Sequence, residues 1–208
     1  MNTIERPRIV LKVGTSTLTA GTENISRGKI EDIARQILEL KVKYDILIVS
    51  SGAVAAARQF DKLNDPSKLV KNKPSLSAIG QPKLMQLFIE VFSDFGLQAC
   101  QCLLTHFDFE GDDSRNNTKT TITDLLYHDY IPIINENDTV AVEEIILGDN
   151  DKLSAYVSVL MEAEKLFIAS DIDGIFDANP KLNPDAKLVK EVKSPEEVRK
   201  YVEDVENG

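Results

Sequence analysis

The chain has 208 residues, with 24 Lys and Arg against 34 Asp and Glu, for a formal charge of −10. At about 150 residues per domain, this length suits one full domain. Its 42% hydrophobic and 28% charged fractions exclude a disordered chain. The acidic balance speaks against nucleic acid or an anionic membrane surface as the main partner, because both are gripped through basic patches. An anion handled by this protein must meet local positive potential from a lysine, a helix N-terminus or a bound metal.

The first apolar run, Ile9 to Val13, is a predicted strand closed by Gly14-Thr15-Ser16. Ser26 then reads as an N-cap, and Ile30, Ile33, Ala34, Ile37 and Leu38 recur on one helical face. Ile46 to Val49 is continuous apolar β, the pattern of a strand covered on both faces. Ser50-Ser51-Gly52 turns into a helix of tiny residues, Ala53 to Ala57. A long helix is predicted from about Leu76 to Phe92, with a restart or kink at Pro82. Its Leu84, Leu87 and Phe88 suit either the core or a subunit interface.

Cys100 to Leu104 is a predicted strand, Arg115 to Tyr127 a helix, and Tyr130 to Ile134 a strand whose Pro132 lies near its start. Leu153, Val157, Leu160 and Met161 mark another helix, and Leu166 to Ala169 a further buried strand. Ser194-Pro195-Glu196-Glu197 reads as a capping box with Pro at the first helical position, opening a helix to about Asp204. No repeat, low-complexity segment or Gly/Ser linker interrupts this βαβ alternation, which predicts a mainly parallel sheet with helices on both faces.

Cys100 and Cys102 are the only cysteines and His106 and His128 the only histidines. Without finger-like spacing, the two cysteines read as buried free thiols in a reducing compartment. The N-terminus has no apolar stretch of the signal-peptide kind, and the run from Ile46 to Ala57 is broken and too short to cross a bilayer. A cytoplasmic protein is the expectation.

Ligands of open α/β sheets bind at the carboxyl ends of the strands, and polar residues collect at four such places. Lys12 stands inside the first strand, where a charge needs an anion or a partner unless the strand is an edge, and Gly14 with its hydroxyl neighbours can present N–H groups to phosphate. Ser51 and Gly52 precede a helix start, which suits a carboxylate or phosphate and also fits a plain N-cap. Asn135-Glu136-Asn137-Asp138 follows a strand, and Gly148-Asp149-Asn150-Asp151 precedes a helix. Such amides and carboxylates can hold an amino acid's ammonium and carboxylate, or orient lysines and Mg²⁺-bound waters. Ser170-Asp171 follows the last buried strand, where an acid can accept from a ribose. P-loop, Gly-x-Gly-x-x-Gly and Gly-x-Ser-x-Gly patterns are absent, and the acidic spacing is not that of an EF-hand.

Taken in order, the stretches Val10 to Ser16, Ile48 to Ala56, Ile131 to Asp138, Gly148 to Ala155 and Ser170 to Phe176, with Asn179-Pro180, resemble the amino acid kinase family. Within it they are similar to the members that act on free glutamate. The resemblance implies a three-layer α/β/α sandwich with a mainly parallel central sheet. It also implies ATP-dependent phosphorylation of the γ-carboxylate of L-glutamate, with Mg²⁺ accompanying ATP, as the first step towards proline. It assigns Lys12 to the transferring phosphoryl group and Asp151 to organising the catalytic lysines. It places Ser51, Gly52, Asp138 and Asn150 on glutamate, and Lys12, Gly14, Ser170 and Asp171 on the nucleotide. It further implies a homo-oligomer and proline as a feedback inhibitor.

Members of the family usually carry a Gly-Thr-Gly-Gly-Met-x-Thr-Lys-like segment that covers the nucleotide, and many append a PUA domain. Neither occurs in this sequence. The expectation is a single kinase domain over 1–208 without its nucleotide-covering segment. The rival readings are a sister kinase acting on N-acetylglutamate, aspartate, carbamate or a nucleoside monophosphate, and an inactive amino-acid-binding module.

Overall fold

A computed structural model describes residues 6–60, 70, 72–140, 150–171, 173–180 and 182–202. It divides into two compact units, residues 1–169 and 170–208. In the first unit the elements run β1 (Arg8–Val13), α1 (Thr15–Thr19), α2 (Arg27–Leu40), β2 (Asp45–Ser50), α3 (Ala53–Phe60), α4 (Lys73–Asp94) and β3 (Gln98–Leu104). A 3-10 turn (His106–Phe109), α5 (Asp112–Tyr127), β4 (Tyr130–Glu136), α6 (Asn150–Leu160) and β5 (Lys165–Ala169) complete it. The second unit contains an antiparallel bridge between Phe176 and Leu188 and the helix α7 (Pro195–Val202). Ser194 Oγ caps α7 by accepting from the Glu197 N–H at 3.3 Å, as its sequence predicts.

The five strands pair in the order β3-β4-β2-β1-β5, all parallel. Alternation along each strand divides the core in two. Ile9 and Val13, Ile46 and Ile48, and Ile131 and Ile133 face one side, packed with α2, α3 and α4. Val10, Leu47, Val49 and Ile134 face the other, packed with α5 and α6. This is the three-layer sandwich, and it explains why β2 and β4 read as unbroken apolar runs. Ser26 caps α2 by accepting from the Lys29 N–H at 3.3 Å, and Ile30, Ala34 and Ile37 are buried. Leu38 of the expected stripe is 40% exposed, because the covered face is narrower than the sequence pattern.

The long helix α4 starts at Asn72, whose side chain accepts from the Ser75 N–H, and runs through Pro82 without a break. Leu84 and Phe88 are fully buried and belong to the core of this chain. The α3–α4 contact is unusually close. A Cβ placed on Gly80 would lie 1.8 Å from the Ala53 carbonyl oxygen and 2.6 Å from the Ala57 nitrogen. Only a glycine on one helix against a run of alanines on the other permits this approach of backbones.

Two strand expectations need correction. β5 is not a buried strand: it pairs with β1 alone among the described residues, and Phe167 and Ile168 are each 48% exposed. Apolar composition reports β propensity, whereas burial depends on having neighbours on every side. Cys100 and Cys102 are free and only half-buried, because β3 is the opposite edge of the sheet. Interaction with the Cys102 thiol and burial push Cys100 up from the ordinary thiol value, whereas interaction with Cys100 draws Cys102 down against the effect of its own burial.

Asp129 enters β4 with a positive φ of 66° and meets Lys41 Nζ at 2.6 Å and Arg6 Nη2 at 3.4 Å. Partial burial raises its carboxyl, but the hydrogen bonds and charges of Lys41 and Arg6 outweigh this and hold it below the usual value. A carboxylate lowered on folding contributes stability above its unfolded pKa of about 3.9 and loses it as pH falls through the lower folded value. Solvent screening keeps the contribution under about 1 kcal/mol. Melting wild type and Asp129→Asn across pH is expected to show a small gap at pH 6 that shrinks below about pH 4. A gap that widens on acidification would contradict the assignment.

Candidate active site

Lys12 lies in β1, which is flanked by β2 and β5, so it is an interior residue and not a solvent-facing edge lysine. It shares a strand face with Val10 and therefore points to the α5–α6 side. It is only 8% exposed, and its Nζ stands 2.6 Å from Asp151 Oδ1. Asp151 occupies the first turn of α6, where the positive end of the helix dipole favours a carboxylate. Its side chain is 45% exposed, so the ion pair is buried on the lysine side and open on the other. Gly14 keeps space beside the ammonium: a Cβ at that position would stand 3.4 Å from Lys12 Nζ.

Immediately adjoining this pair in sequence, Asn150 begins α6 and lines a cleft of about 470 Å³. Ser51, Gly52, Asp138 and Asn150, the four residues expected to bind glutamate, all line that cleft. The chain reaches it through Ser51, whose N–H donates to the Val13 carbonyl at 3.0 Å, and through Gly52 at φ 105°. A side chain at Gly52 would press on Leu18 and Ile25 at 3.2 Å, so this turn tolerates little but glycine.

Asn150 Nδ2 bonds the Ser50 carbonyl at 2.7 Å, Ser51 Oγ at 2.9 Å and Asn135 Oδ1 at 2.9 Å. Asp138 accepts from Ser77 Oγ at 2.7 Å and lies 3.6 Å from Lys73 Nζ. Asn135 and Glu136 are the last residues of β4 and do not follow it; both are buried. β4 therefore carries its polar side chains two residues further into the sheet than the apolar run suggests.

Four lining or supporting residues lie in helices that the sequence reading treated as scaffold. Arg58 projects from α3, and Lys73 and Ser77 from α4, into the same cleft; Gln81 of α4 donates to Gln101 and accepts from Asn135. A signal was present: Ser77, Gly80 and Gln81 are small or polar at helical spacing within a buried stripe. The cleft thus offers cations (Arg58, Lys73), anions (Glu136, Asp138) and amides, a match for a small zwitterion bearing an additional carboxylate.

Ser170 and Asp171 begin the second unit, where both are exposed. Gly148 and Asp149 lie outside the described residues. Among the described residues, no three His, Cys, Asp or Glu side chains cluster as a metal cage, and no helix is long and apolar enough to cross a membrane.

Known proteins resemble this chain in sequence and in fold. A family model described as "Amino acid kinase family" matches residues 7–208. A Glutamate 5-kinase of Helicobacter hepaticus is 45% identical over 194 residues, covering 92% of this chain and 71% of that protein. Glutamate 5-kinase 2 of Bacillus licheniformis is 45% identical over 192 residues, 91% of this chain and 51% of that protein. The chain thus spans about half the length of several relatives of that name.

Among solved structures, UMP kinase from Ureaplasma parvum aligns with a TM-score of 0.65 at 18% identity, over 95% of this chain and 80% of that one. Isopentenyl phosphate kinase of T. acidophilum aligns at 0.64 and 19% identity, over 94% and 83%. At such identities these two likenesses speak for the fold alone. The model match over nearly the whole chain and the 45% identities carry more, and on them this chain belongs to the amino acid kinase family.

Proposed function

We propose that the chain transfers the γ-phosphoryl group of ATP to the γ-carboxylate of L-glutamate, forming L-glutamyl 5-phosphate and ADP as the first step towards proline. The observation that carries this reading is the cleft itself. Asp138, steadied by Ser77 and Lys73, and Asn150, steadied by Ser50, Ser51 and Asn135, stand in one cavity. The Lys12–Asp151 pair begins at the next residue of α6. The 45% identity to proteins named Glutamate 5-kinase supports the same substrate.

The chemistry asks for little beyond position and charge. A glutamate side chain with a pKa of about 4.3 is already ionised at neutral pH, so no general base is required. A carboxylate oxygen forms a bond to the γ-phosphorus, the bond to the bridging oxygen breaks, and ADP leaves with the electron pair. Both reactants are anions, and Lys12 supplies fixed positive charge where they meet. Asp151 holds that ammonium in place. Gly14 leaves room for the phosphates beside it; Ser170 and Asp171 are assigned to the nucleotide on the family resemblance alone.

Mg²⁺ fits as an ion that arrives on the triphosphate, since such sites need only one or two protein carboxylates beside the phosphates. Asp151, half-exposed on its outer side, is the residue suited to reach it. Bound there, the ion would neutralise phosphate charge. Proline as a feedback inhibitor and a homo-oligomeric assembly accompany the reading on the family resemblance alone.

Incubating the chain with ATP, Mg²⁺, hydroxylamine and each of several acceptors tests the proposal, because acyl phosphates are trapped as hydroxamates. Glutamate hydroxamate is the expected product, with none from N-acetylglutamate or aspartate. Turnover confined to another acceptor would overturn the substrate, and glutamate binding without ADP release would make the chain a binding module. Asn150→Ala is expected to raise the KM for glutamate about tenfold, the scale of a lost hydrogen bond or two, and to leave that for ATP within twofold. An effect confined to ATP would mean that the two pockets are reversed.

A further inference from the structure

The amino-acid end of the cleft is organised by a chain of amides whose polarity follows from backbone atoms. The Glu136 backbone N–H donates to Asn135 Oδ1 at 2.9 Å, and a backbone N–H can only donate. The Ser50 carbonyl, 2.7 Å from Asn150 Nδ2, can only accept. Asn135 therefore presents its oxygen to Asn150, and its own Nδ2 must find an acceptor elsewhere. It finds Gln81 Oε1 at 2.8 Å, and Gln81 Nε2 in turn donates to Gln101 Oε1 at 3.0 Å. Asn135 is 4% and Gln81 7% exposed, so a lost partner leaves a buried polar group unsatisfied.

We propose that Gln81, in the middle of α4, is a positioning residue for substrate binding that acts through Asn135 on Asn150. Removing its oxygen leaves Asn135 two poor choices. It can keep Nδ2 buried without an acceptor, or turn its amide over and set that nitrogen against the Glu136 N–H and Asn150 Nδ2, donors facing donors. Either way Asn150 loses the partner that holds it. Both amide hydrogens of Asn150 are already shared among three protein acceptors, so Oδ1 is the atom it has left for a ligand. That atom suits the ammonium of an amino acid. The inference rests on reading the cleft as an amino-acid site.

The test compares wild type, Gln81→Met and Gln81→Glu of the 208-residue chain by calorimetry with L-glutamate and, separately, with Mg²⁺ and a non-hydrolysable ATP analogue. Thermal melts establish that each variant is folded. Gln81→Met keeps the volume and loses the acceptor; it is expected to weaken glutamate binding about tenfold and to leave the nucleotide within twofold. Gln81→Glu keeps an oxygen towards Asn135 and is expected to stay within threefold of wild type. On an Asn150→Ala background, Gln81→Met is expected to add less than twofold.

Wild-type affinity in folded Gln81→Met, an equal loss for both ligands, or an undiminished tenfold loss on the Asn150→Ala background would overturn the proposal. If Gln81→Met does not fold, Gln81→Glu decides, since a tenfold loss there contradicts the role of the oxygen. Failure of the substrate reading looks different: wild type then binds another amino acid and not glutamate, and the same comparison is made with that ligand.

Discussion

Replacing Lys12 by alanine is expected to lower kcat for glutamate phosphorylation by roughly two to three orders of magnitude, the scale observed when one preorganised charge-stabilising donor is removed. The expected loss falls in kcat and in kcat/KM together, because the interaction strengthens as negative charge builds between two anionic reactants. Folding is expected to survive. The lysine stem is buried but small in volume, and Asp151, having lost this ion pair, has a side chain already 45% exposed that water can solvate. Lys12→Met, which keeps the stem, is expected to melt closer to wild type than Lys12→Ala and to be as slow. Rapid-quench turnover beside a thermal melt checks both halves. Near-normal kcat in either variant would remove Lys12 from the chemistry, and a loss of folding in both would make it a structural lysine.

Gly80→Ala is the stability counterpart. The added methyl would sit 1.8 Å from the Ala53 carbonyl oxygen and 2.6 Å from the Ala57 nitrogen, and both are backbone atoms. No rotamer change and no truncation on α3 can relieve the overlap, so the two helices must part. Overpacking of this kind costs about 3 kcal/mol or more, which for a chain of this size corresponds to a fall in Tm of roughly 6–12 °C. The damage reaches the cleft as well, because α3 contributes Ala53, Val54 and Arg58 to its wall and α4 contributes Lys73 and Ser77. Glutamate affinity is expected to drop along with the melting point. Gly28→Ala is the control. Gly28 lies exposed in α2, and a Cβ there would meet only Ser26 Oγ, at 3.8 Å, so the better helix former should be neutral or slightly stabilising. Equal melting points for Gly80→Ala and Gly28→Ala would mean that the helices are not in this register.

Much of the fold was legible because the signals are local. The alternation of β-branched runs with amphipathic stretches located the five strands and α2 to α7 among the described residues, with ends off by a few residues, but did not reveal the short α1 (Thr15–Thr19). The caps at Ser26 and Ser194 sit where a hydroxyl precedes a periodic run. The errors occurred where the deciding fact is not local. Leu166 to Ala169 reads like the interior strands but borders the sheet. Asn135 and Glu136 read as following the strand, although β4 extends through them, because polar identity says nothing about continued pairing with Leu103 and Leu104 of β3. Lys73, Ser77 and Gln81 were overlooked because their helix is otherwise scaffold, and a polar residue on a buried face shows its purpose only through its partner.

The candidate site divides along the same line. By itself, the sequence determined the alternating class, the separation of apolar residues onto two sheet faces, and the residue types clustered behind the strands. Its acidic charge made Lys12 an exception that calls for an anionic partner. Periods of two and of about 3.6 residues are properties of a short stretch of chain, and they can be read without knowing its neighbours. Only the tertiary structure decided which strands adjoin, and hence that Lys12 is interior and meets Asp151. It also decided that Asn150, Asn135 and Gln81 join in one bonded chain, and that α4 comes close enough to α3 for Gly80 to be indispensable. These pairings depend on the order in which crossovers return strands to the sheet and on the distance between packed helices. Both are set by contacts between residues far apart in the chain.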